Sequence, residues 1–360
     1  MNREVEGERR QSILDKLKAA LREAYGLHAQ QVERIAYGLW EESFSVWTRE
    51  KRYYVKRFYA KWRLQTRYSD MLKGLALSQE LRQKGFPAPA LIFTIDKDWL
   101  ANLDGETYQV NEWVDGCCYH PGELQEDEAR AMGGLLARFH CQFERAEPSG
   151  KKLPYVTPAA AIHTCEELHL RYESVRGAFP SYVRSLLAQQ ILLLKSLPSD
   201  FTENFPAATL SGPCFHSFWV EQVIFQPNGQ IAALVDWTDG AGKPGLWAQD
   251  IVTGIHLSAL SETATIAFCS GYQNENRLPM NEWKAVFAML CYGHVASTNF
   301  LDSWLVKHNR RMEHWEKIAK EWTRIVPQRF IRWRELEEKV LDALFVQVDE
   351  ESANVELTSK

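Results

Sequence analysis

The chain has 360 residues, of which 45% are hydrophobic and 25% charged, and its formal net charge is −5 at pH 7. This composition is typical of a globular protein, and the length exceeds what one hydrophobic core usually supports, so we expect two domains or lobes. The acidic balance argues against a nucleic-acid-binding protein, and neither a long apolar run nor a signal peptide is visible, so we expect a cytoplasmic protein.

The first third of the sequence predicts a helix followed by an antiparallel sheet. Residues 1–25 have apolar positions at helical spacing, whereas the following stretch alternates and is rich in aromatic and β-branched residues. The turn "REK" separates the strands "FSVWT" and "YYVKRF", and "LDGE" places an Asp-Gly turn between two later strands. Between them "SDMLKGLALSQELRQ" predicts one helix. We therefore assign residues 26–114 to a small sheet lobe.

The rest of the chain is predicted to be mainly helical. Residues 115–346 contain long helical patterns such as "EDEARAMGGLLARFH" and "NEWKAVFAMLCYGHVA", interrupted by a short hairpin within residues 210–240. The tail, residues 347–360, is polar and is expected to fray. The predicted class is thus α+β, with an antiparallel-sheet lobe that carries one helix and a larger helical lobe.

A small sheet lobe, a linker and a helical lobe that holds a short hairpin form the layout of a kinase. Lys56 lies mid-strand, where a kinase has the lysine that contacts the α and β phosphates of ATP. The alternative interpretation is a solvated lysine on an edge strand. The linker "VNEWVDG" offers backbone N–H and C=O groups of Glu112, Trp113 and Val114 that could hydrogen-bond an adenine, although any strand followed by a turn has such groups.

Asp236 is the candidate metal ligand. It ends the apolar strand in "IAALVDWTDG", and a carboxylate oxygen is what a hard cation such as Mg²⁺ prefers. An aspartate at a strand end also commonly forms a turn. The order of lysine, linker, hairpin and aspartate favours the metal-binding interpretation.

Together these features resemble the aminoglycoside phosphotransferase and choline kinase superfamily, whose members have a protein-kinase-like fold and which includes homoserine kinases and spore-coat kinase-like proteins. The resemblance extends from about residue 30 to about residue 300. It rests on six segments in the family's order: "YYVKRF", "LRQKGFPAPALI", "YQVNEWVDG", "MGGLLARFH", "VIFQPNGQIAALVDWTD" and "GLWAQDIV". The resemblance implies ATP and Mg²⁺ as cofactors, a bilobal fold, and a structural role for Asp250.

The catalytic loop departs from the family pattern, HGDxxxxN. Counting back without a gap from "VIF" places Gln222 at the metal-binding Asn, Ser217 at the catalytic Asp, and Phe215 and His216 at the preceding two positions. A serine hydroxyl is a far weaker base than a carboxylate near neutral pH, whereas Gln222 still offers an amide oxygen. If the loop were one residue longer, His216 would lie near the base position, and histidine titrates in the useful range.

Two further departures concern the phosphate site. The turn "AYGLWEESFSVW" has only Gly38 where the family covers the phosphates, and Trp40, Glu41 and Glu42 would tend to repel them. The sequence does not identify the carboxylate partner of Lys56. Glu80 is the candidate on the predicted helix, but it lies closer to Gly85 than the family's glutamate does.

Two functions follow from these residues. The first is a small-molecule kinase that transfers the γ-phosphate of ATP to a small hydroxyl-bearing substrate. In phosphoryl transfer the protein mainly positions the reactants and neutralises the phosphate charge, so loss of the base lowers the rate without necessarily abolishing the reaction. The second is a pseudokinase, a nucleotide-sensing or scaffold protein that binds a protein partner. The simultaneous changes at Ser217, Gln222 and the glycine turn favour the second interpretation.

The partner is not encoded in a recognisable motif. Basic and aromatic residues interleave near the C-terminus and could bind nucleic acid or an acidic or phosphorylated partner, although the acidic chain favours a solvated helix face. The basic residues are Lys307, Arg310, Arg311, Arg329, Arg332 and Arg334. We expect no membrane partner.

Overall fold

The computed structural model describes residues 3–37, 41–58, 61–145, 156–198, 201, 206, 208–258, 260–298, 301 and 332–346. The described chain forms two compact units. The first comprises the residues up to 118 together with 221–243, and the second comprises 119–220 and the residues after 243. No described helix is both long and apolar enough to cross a membrane.

The first unit is built on an antiparallel sheet. Its strands are β1 (Gln31–Tyr37), β2 (Glu41–Trp47), β3 (Arg52–Phe58), β4 (Leu91–Ile92), β5 (Ala101–Leu103) and β6 (Glu106–Glu112). The order is β1-β2-β3-β6-β4, and β5 also pairs with β6. Both predicted turns are confirmed: Thr48 and Lys51 close the β2–β3 turn, and Asp104 and Gly105 adopt the positive φ angles that a two-residue hairpin turn requires.

Two helices cover this sheet. Helix α1 (Arg3–Tyr25) buries Leu17, Ala20 and Leu21 against one face, which presents apolar residues such as Val55 and Val110. Helix α2 (Lys61–Gln83) packs Met71 and Leu75 against Phe58, Leu91 and Leu100. Because side chains alternate along a strand, Lys56 points away from the face that carries Val55.

The predicted hairpin belongs to the first unit as well. Strands β8 (Val223–Phe225) and β9 (Ile231–Leu234) pair with each other. The backbone of Phe225 exchanges two hydrogen bonds with Cys117, of 2.8 and 2.9 Å, and the Leu234 N–H donates to the Pro87 carbonyl at 2.7 Å. These bonds explain why residues 221–243 group with the sheet, whereas the sequence analysis placed residues 210–240 in the helical lobe.

The second unit is mainly helical, as predicted. Its helices are α3 (Glu126–His140), α4 (Pro158–Glu173), α5 (Ala178–Lys195), α6 (Trp247–Leu257), α7 (Glu262–Glu275), α8 (Met280–Ala296) and a ninth over 332–341, which continues into a π-helical turn, Asp342–Val346. Strand β7 (Ser211–Cys214) pairs with β10 (Lys243–Leu246). Apolar side chains of α4, α5 and α8, including Tyr172, Leu187 and Tyr292, form one core. The predicted tail, 347–360, lies outside the described residues.

Helices α3 and α7 touch through their backbones. A Cβ atom at Gly133 would lie 2.0 Å from the carbonyl oxygen of Phe268, and one at Gly271 would lie 2.0 Å from that of Arg130. Neither distance can accommodate a methyl group without a shift of a helix backbone. The neighbouring Gly134 is different, because its nearest contact would be an ordinary 3.5 Å from the Gly271 oxygen.

We expect Gly133→Ala to lower the free energy of unfolding by about 1–3 kcal/mol, because the added methyl overpacks the helix contact. The matched control, Gly134→Ala, should be neutral or stabilising by up to about 1 kcal/mol, since alanine is the better helix former. Urea unfolding followed by circular dichroism measures both. Equal losses in the two variants would contradict the close helix approach.

Candidate functional site

Lys56 lies at the centre of the sheet of the first unit. Its strand, β3, is flanked by β2 and β6, with Ser43 and Gln109 as its cross-strand neighbours. The residue is only 5% exposed. The structure therefore excludes the alternative of a solvated lysine on an edge strand.

Two carboxylates surround the Lys56 ammonium group. Its Nζ atom donates to Oδ1 of Asp236 at 2.5 Å and lies 3.7 Å from Oε1 of Glu41. Burial lowers the pKa of Lys56, but the negative charges of Asp236 and Glu41 outweigh this effect, so the pKa is raised above its ordinary value. Lys56 thus stays positively charged inside the protein.

Asp236 lies in a strained turn, two residues after the end of β9. Its φ angle is +67°, in the left-handed region that non-glycine residues rarely adopt. The indole of the next residue, Trp237, is buried and donates its Nε1–H to the Leu234 carbonyl at 2.8 Å. Helix α2 approaches this turn at Gly74, where a Cβ atom would lie 2.0 Å from the Trp237 carbonyl oxygen. The indole hydrogen bond and the close packing of α2 therefore both hold the turn in place.

Gln222 completes the polar group around Asp236. The Gln222 carbonyl accepts the Val235 N–H at 2.8 Å, and the Gln222 side-chain Nε2 donates to Oδ2 of Asp236 at 3.3 Å. Its Oε1 atom is buried and has no hydrogen-bond partner among the described residues. Thr238 adds a hydroxyl donor to Asp236 at 3.1 Å. Lys56, Asp236 and Gln222, three of the predicted site residues, thus lie together.

The predicted catalytic loop is held within the second unit by Asp250 of α6. This carboxylate is 1% exposed and accepts the backbone N–H groups of Phe215, at 2.5 Å, and His216, at 2.7 Å. His216 has a φ angle of +66° and an exposed side chain. The Oγ atom of Ser217 is buried and has no hydrogen-bond partner among the described residues. Asp250 therefore has the structural role that the family resemblance implied.

A buried chain of side chains supports Asp250. His140 of α3 lies 3.1 Å from Asp250 through Nε2 and 2.7 Å from the Tyr272 hydroxyl through Nδ1, and its ring stacks on Trp247. Burial lowers the pKa of His140, although the Asp250 carboxylate acts in the opposite direction. A neutral ring that donates from Nε2 and accepts the Tyr272 O–H at Nδ1 satisfies both contacts. This histidine ends the segment "MGGLLARFH", and no role for it could be predicted from the sequence.

The linker segment is partly committed to the sheet. The Glu112 N–H donates to the Ala90 carbonyl at 2.9 Å, and the Trp113 N–H donates to the Arg52 carbonyl at 3.2 Å. Of the three predicted N–H groups, the one at Val114 remains for a ligand within the described part of the chain. The Tyr54 ring lies on the same sheet face as Lys56, and its hydroxyl is 2.7 Å from that of Ser43.

Several candidates lie elsewhere. Glu80 is exposed and pairs with Lys84 at 2.7 Å, so it is not a partner of Lys56. Glu42 is buried and pairs with Arg57 rather than pointing with Glu41 toward Lys56. Gly38 lies outside the described residues, as do the basic residues Lys307, Arg310, Arg311 and Arg329, whereas Arg332 and Arg334 are exposed on the last helix.

Comparison with known proteins gives a consistent result. The model of a family described as "Phosphotransferase enzyme family" matches residues 31–283. No curated protein sequence matches the chain significantly.

Solved structures resemble the chain over nearly its whole length. An aminoglycoside phosphotransferase from Alicyclobacillus acidocaldarius is 20% identical, with 92% of this chain and 96% of that chain covered and a TM-score of 0.55. A spectinomycin phosphotransferase in complex with ADP and spectinomycin is 13% identical, with 91% and 98% covered and a TM-score of 0.57. An amicoumacin kinase in complex with AMP-PNP and Ca²⁺ is 15% identical, with 94% and 96% covered and a TM-score of 0.54. The predicted kinase-like α+β fold is confirmed.

The buried histidine predicts a pH dependence of stability. A folded-state pKa below the unfolded value means that stability is complete above the unfolded pKa, near 6.5, and falls as the pH drops below it. Between pH 7.5 and 5.5 we expect His140 to contribute a loss of about 1 kcal/mol in the free energy of unfolding. Urea titrations of wild type and His140→Gln measure this difference.

The control is His163→Gln, which changes an exposed histidine on α4. It should leave the pH slope of wild type intact, whereas His140→Gln should flatten it. A slope that is unchanged in His140→Gln would contradict the burial of a neutral imidazole.

Proposed function

Because the chain belongs to the phosphotransferase enzyme family, we propose that it is a kinase-fold nucleotide-binding protein in which phosphoryl transfer to a small hydroxyl-bearing molecule is impaired or lost. One observation carries the proposal. The Lys56–Asp236 pair is intact at 2.5 Å, while the loop anchored by Asp250 has Ser217 where the family has its catalytic aspartate.

The nucleotide-binding half of the proposal rests on three groups of the first unit. The Lys56 ammonium would contact the phosphates. The carboxylates of Asp236 and Glu41 raise its pKa and keep it charged against the effect of burial, and the buried position strengthens its electrostatic interactions. The Val114 N–H would donate to the adenine, and Glu112 and Trp113 would supply the surrounding backbone. The Tyr54 ring offers an aromatic surface on the same sheet face as Lys56.

The residues around Asp236 fit a Mg²⁺ ion. Asp236 supplies a carboxylate, and the buried Oε1 of Gln222 is an oxygen that no described residue satisfies. Both are ligands of the kind that Mg²⁺ takes from proteins. Bound there, Mg²⁺ would supply charge neutralisation for the nucleotide phosphates. Gln222 places its oxygen one methylene further from the backbone than the family's asparagine does.

The catalytic half rests on Ser217. A carboxylate at this position would orient the acceptor hydroxyl and take its proton, and general-base catalysis typically contributes about 10²- to 10⁴-fold. The Ser217 hydroxyl can accept a hydrogen bond but cannot hold the proton near neutral pH. His216 is the alternative base, and its side chain is exposed while its backbone N–H is bound by Asp250.

The fold relatives support the acceptor class that we propose. The solved spectinomycin phosphotransferase is a complex with spectinomycin, so a polar, hydroxyl-bearing small molecule is the acceptor class we propose for any residual transfer. An ATP-dependent reaction also fits the cytoplasmic location expected from the sequence. If transfer is absent altogether, nucleotide binding would serve a sensing or scaffold role with a protein partner.

Nucleotide binding should stabilise the wild-type protein. With Mg-ATP at about 100 times its dissociation constant, the free energy of unfolding should rise by about 2.7 kcal/mol. Lys56→Met and Asp236→Asn should abolish this gain, because each removes a group that meets the phosphates or the metal. Lys84→Met is the matched control, since it removes an exposed lysine that also pairs with a carboxylate. The measurement is the thermal unfolding of wild type and the three variants with and without Mg-ATP. Equal shifts of the unfolding temperature in all four proteins would contradict the proposed site.

Restoring a carboxylate at the base position should restore turnover. We expect Ser217→Asp to raise Mg-dependent release of ADP from ATP by about 10²-fold, with water as the acceptor. Ser261→Asp is the control, because Ser261 is the exposed N-cap of α7 and aspartate caps a helix equally well. Wild-type turnover at an ordinary kinase rate, about 1–100 s⁻¹, would show that the serine does not impair transfer.

A further inference from the structure

Glu41 begins strand β2 and faces the phosphate lysine. The register pairs Ser43 with Lys56 and Glu41 with Phe58, so the two β2 residues share the sheet face of Lys56. The Glu41 carboxylate lies 3.7 Å from the Lys56 ammonium and is one-fifth exposed. Its negative charge therefore lies beside the ammonium group to which the proposed function assigns the phosphates.

The charge of Glu41 is distinct from that of its neighbour. Glu42 is 1% exposed, pairs with Arg57 at 2.5 Å and has Arg34 at 3.9 Å, so two guanidinium groups neutralise it away from Lys56. The alternation of β2 thus sends one glutamate to each face. Of these two glutamates, Glu41 is the one whose negative charge lies on the sheet face of Lys56.

The carboxylates of helix α2 form ion pairs with lysines other than Lys56. Asp70 pairs with Lys243 at 2.6 Å and Glu80 with Lys84 at 2.7 Å, and neither pair includes Lys56. The described ion pairs of Lys56 are those with Asp236 and Glu41. In these ion pairs the Lys56 ammonium therefore faces two carboxylates.

We propose that Glu41 is a specificity-determining residue, which lowers the affinity of the site for each added phosphate and makes it favour an adenine nucleoside or monophosphate over ATP. The inference rests on the proposed nucleotide site. A phosphate that binds Lys56 either displaces the Glu41 carboxylate or lies close to it. In the second case the repulsion between the two negative charges weakens binding. Uncharged adenosine meets no such cost, so this is specificity through repulsion.

The test is a series of adenosine, AMP, ADP and ATP, titrated calorimetrically without divalent cation into wild type and Glu41→Gln. Glutamine keeps the shape and removes the charge. We expect Glu41→Gln to bind ATP at least about tenfold more tightly than wild type, with smaller gains for ADP and AMP and less than a twofold change for adenosine. The control Glu50→Gln removes an exposed glutamate in the β2–β3 turn and should change none of the four affinities.

The opposite result would overturn the inference. If Glu41 instead holds Lys56 in position for phosphates, Glu41→Gln would weaken ATP binding, and a purely structural role would change all four ligands equally. If the variant does not fold, the wild-type series decides, because ATP binding more than tenfold tighter than adenosine contradicts the proposal. If none of the four adenine ligands binds either protein, the proposed nucleotide site itself is wrong. If ATP binds in preference to adenosine, the nucleotide site is supported and the role proposed for Glu41 is wrong.

Discussion

A buried lysine ammonium needs compensating charge, and the first unit is arranged around that need at Lys56. Removing one partner from a buried ion pair typically costs about 3–5 kcal/mol, because the other charge is left without compensation. The compensation here comes from two distant parts of the chain, Glu41 on β2 and Asp236 after β9. The ion pairs therefore tie the central strand to the hairpin, and the strained backbone of Asp236 persists because Trp237 and Gly74 hold the turn on both sides.

The second unit also contains a buried charge, which here is a carboxylate. Asp250 is buried, and it is satisfied by two backbone N–H groups and by His140 rather than by a cation. This arrangement fixes the backbone of the loop whatever side chain occupies position 217. The backbone geometry of the predicted catalytic loop therefore does not depend on the side chain of Ser217, because other groups hold the loop.

Much of this could be predicted from the sequence, and the exceptions have physical reasons. Lys56, Asp236 and Asp250 could be found because strand periodicity and family motifs place them. Glu41 could only be recognised as an acidic residue near the proposed phosphate site, since its separation from Glu42 depends on the strand register and on Arg57. The close approaches at Gly74 and Gly133 leave no local pattern, because they depend on where another segment's backbone lies. His140 belongs to a family-like segment, but its partners, Tyr272 and Asp250, are more than 100 residues away.

The membership of residues 221–243 in the first unit has a consequence for how the chain is made. When the ribosome has completed residue 118, the sheet is synthesised but its hairpin is not, and 125 residues separate 118 from 243. At about 5–20 residues per second, this interval lasts about 6–25 s. During that time the nascent sheet contains Lys56 without Asp236 and the Pro87 carbonyl without the Leu234 N–H. Contacts so distant in sequence are slow to form, so the first unit is completed only after much of the second has been synthesised. During this interval the incomplete sheet is exposed to misfolding.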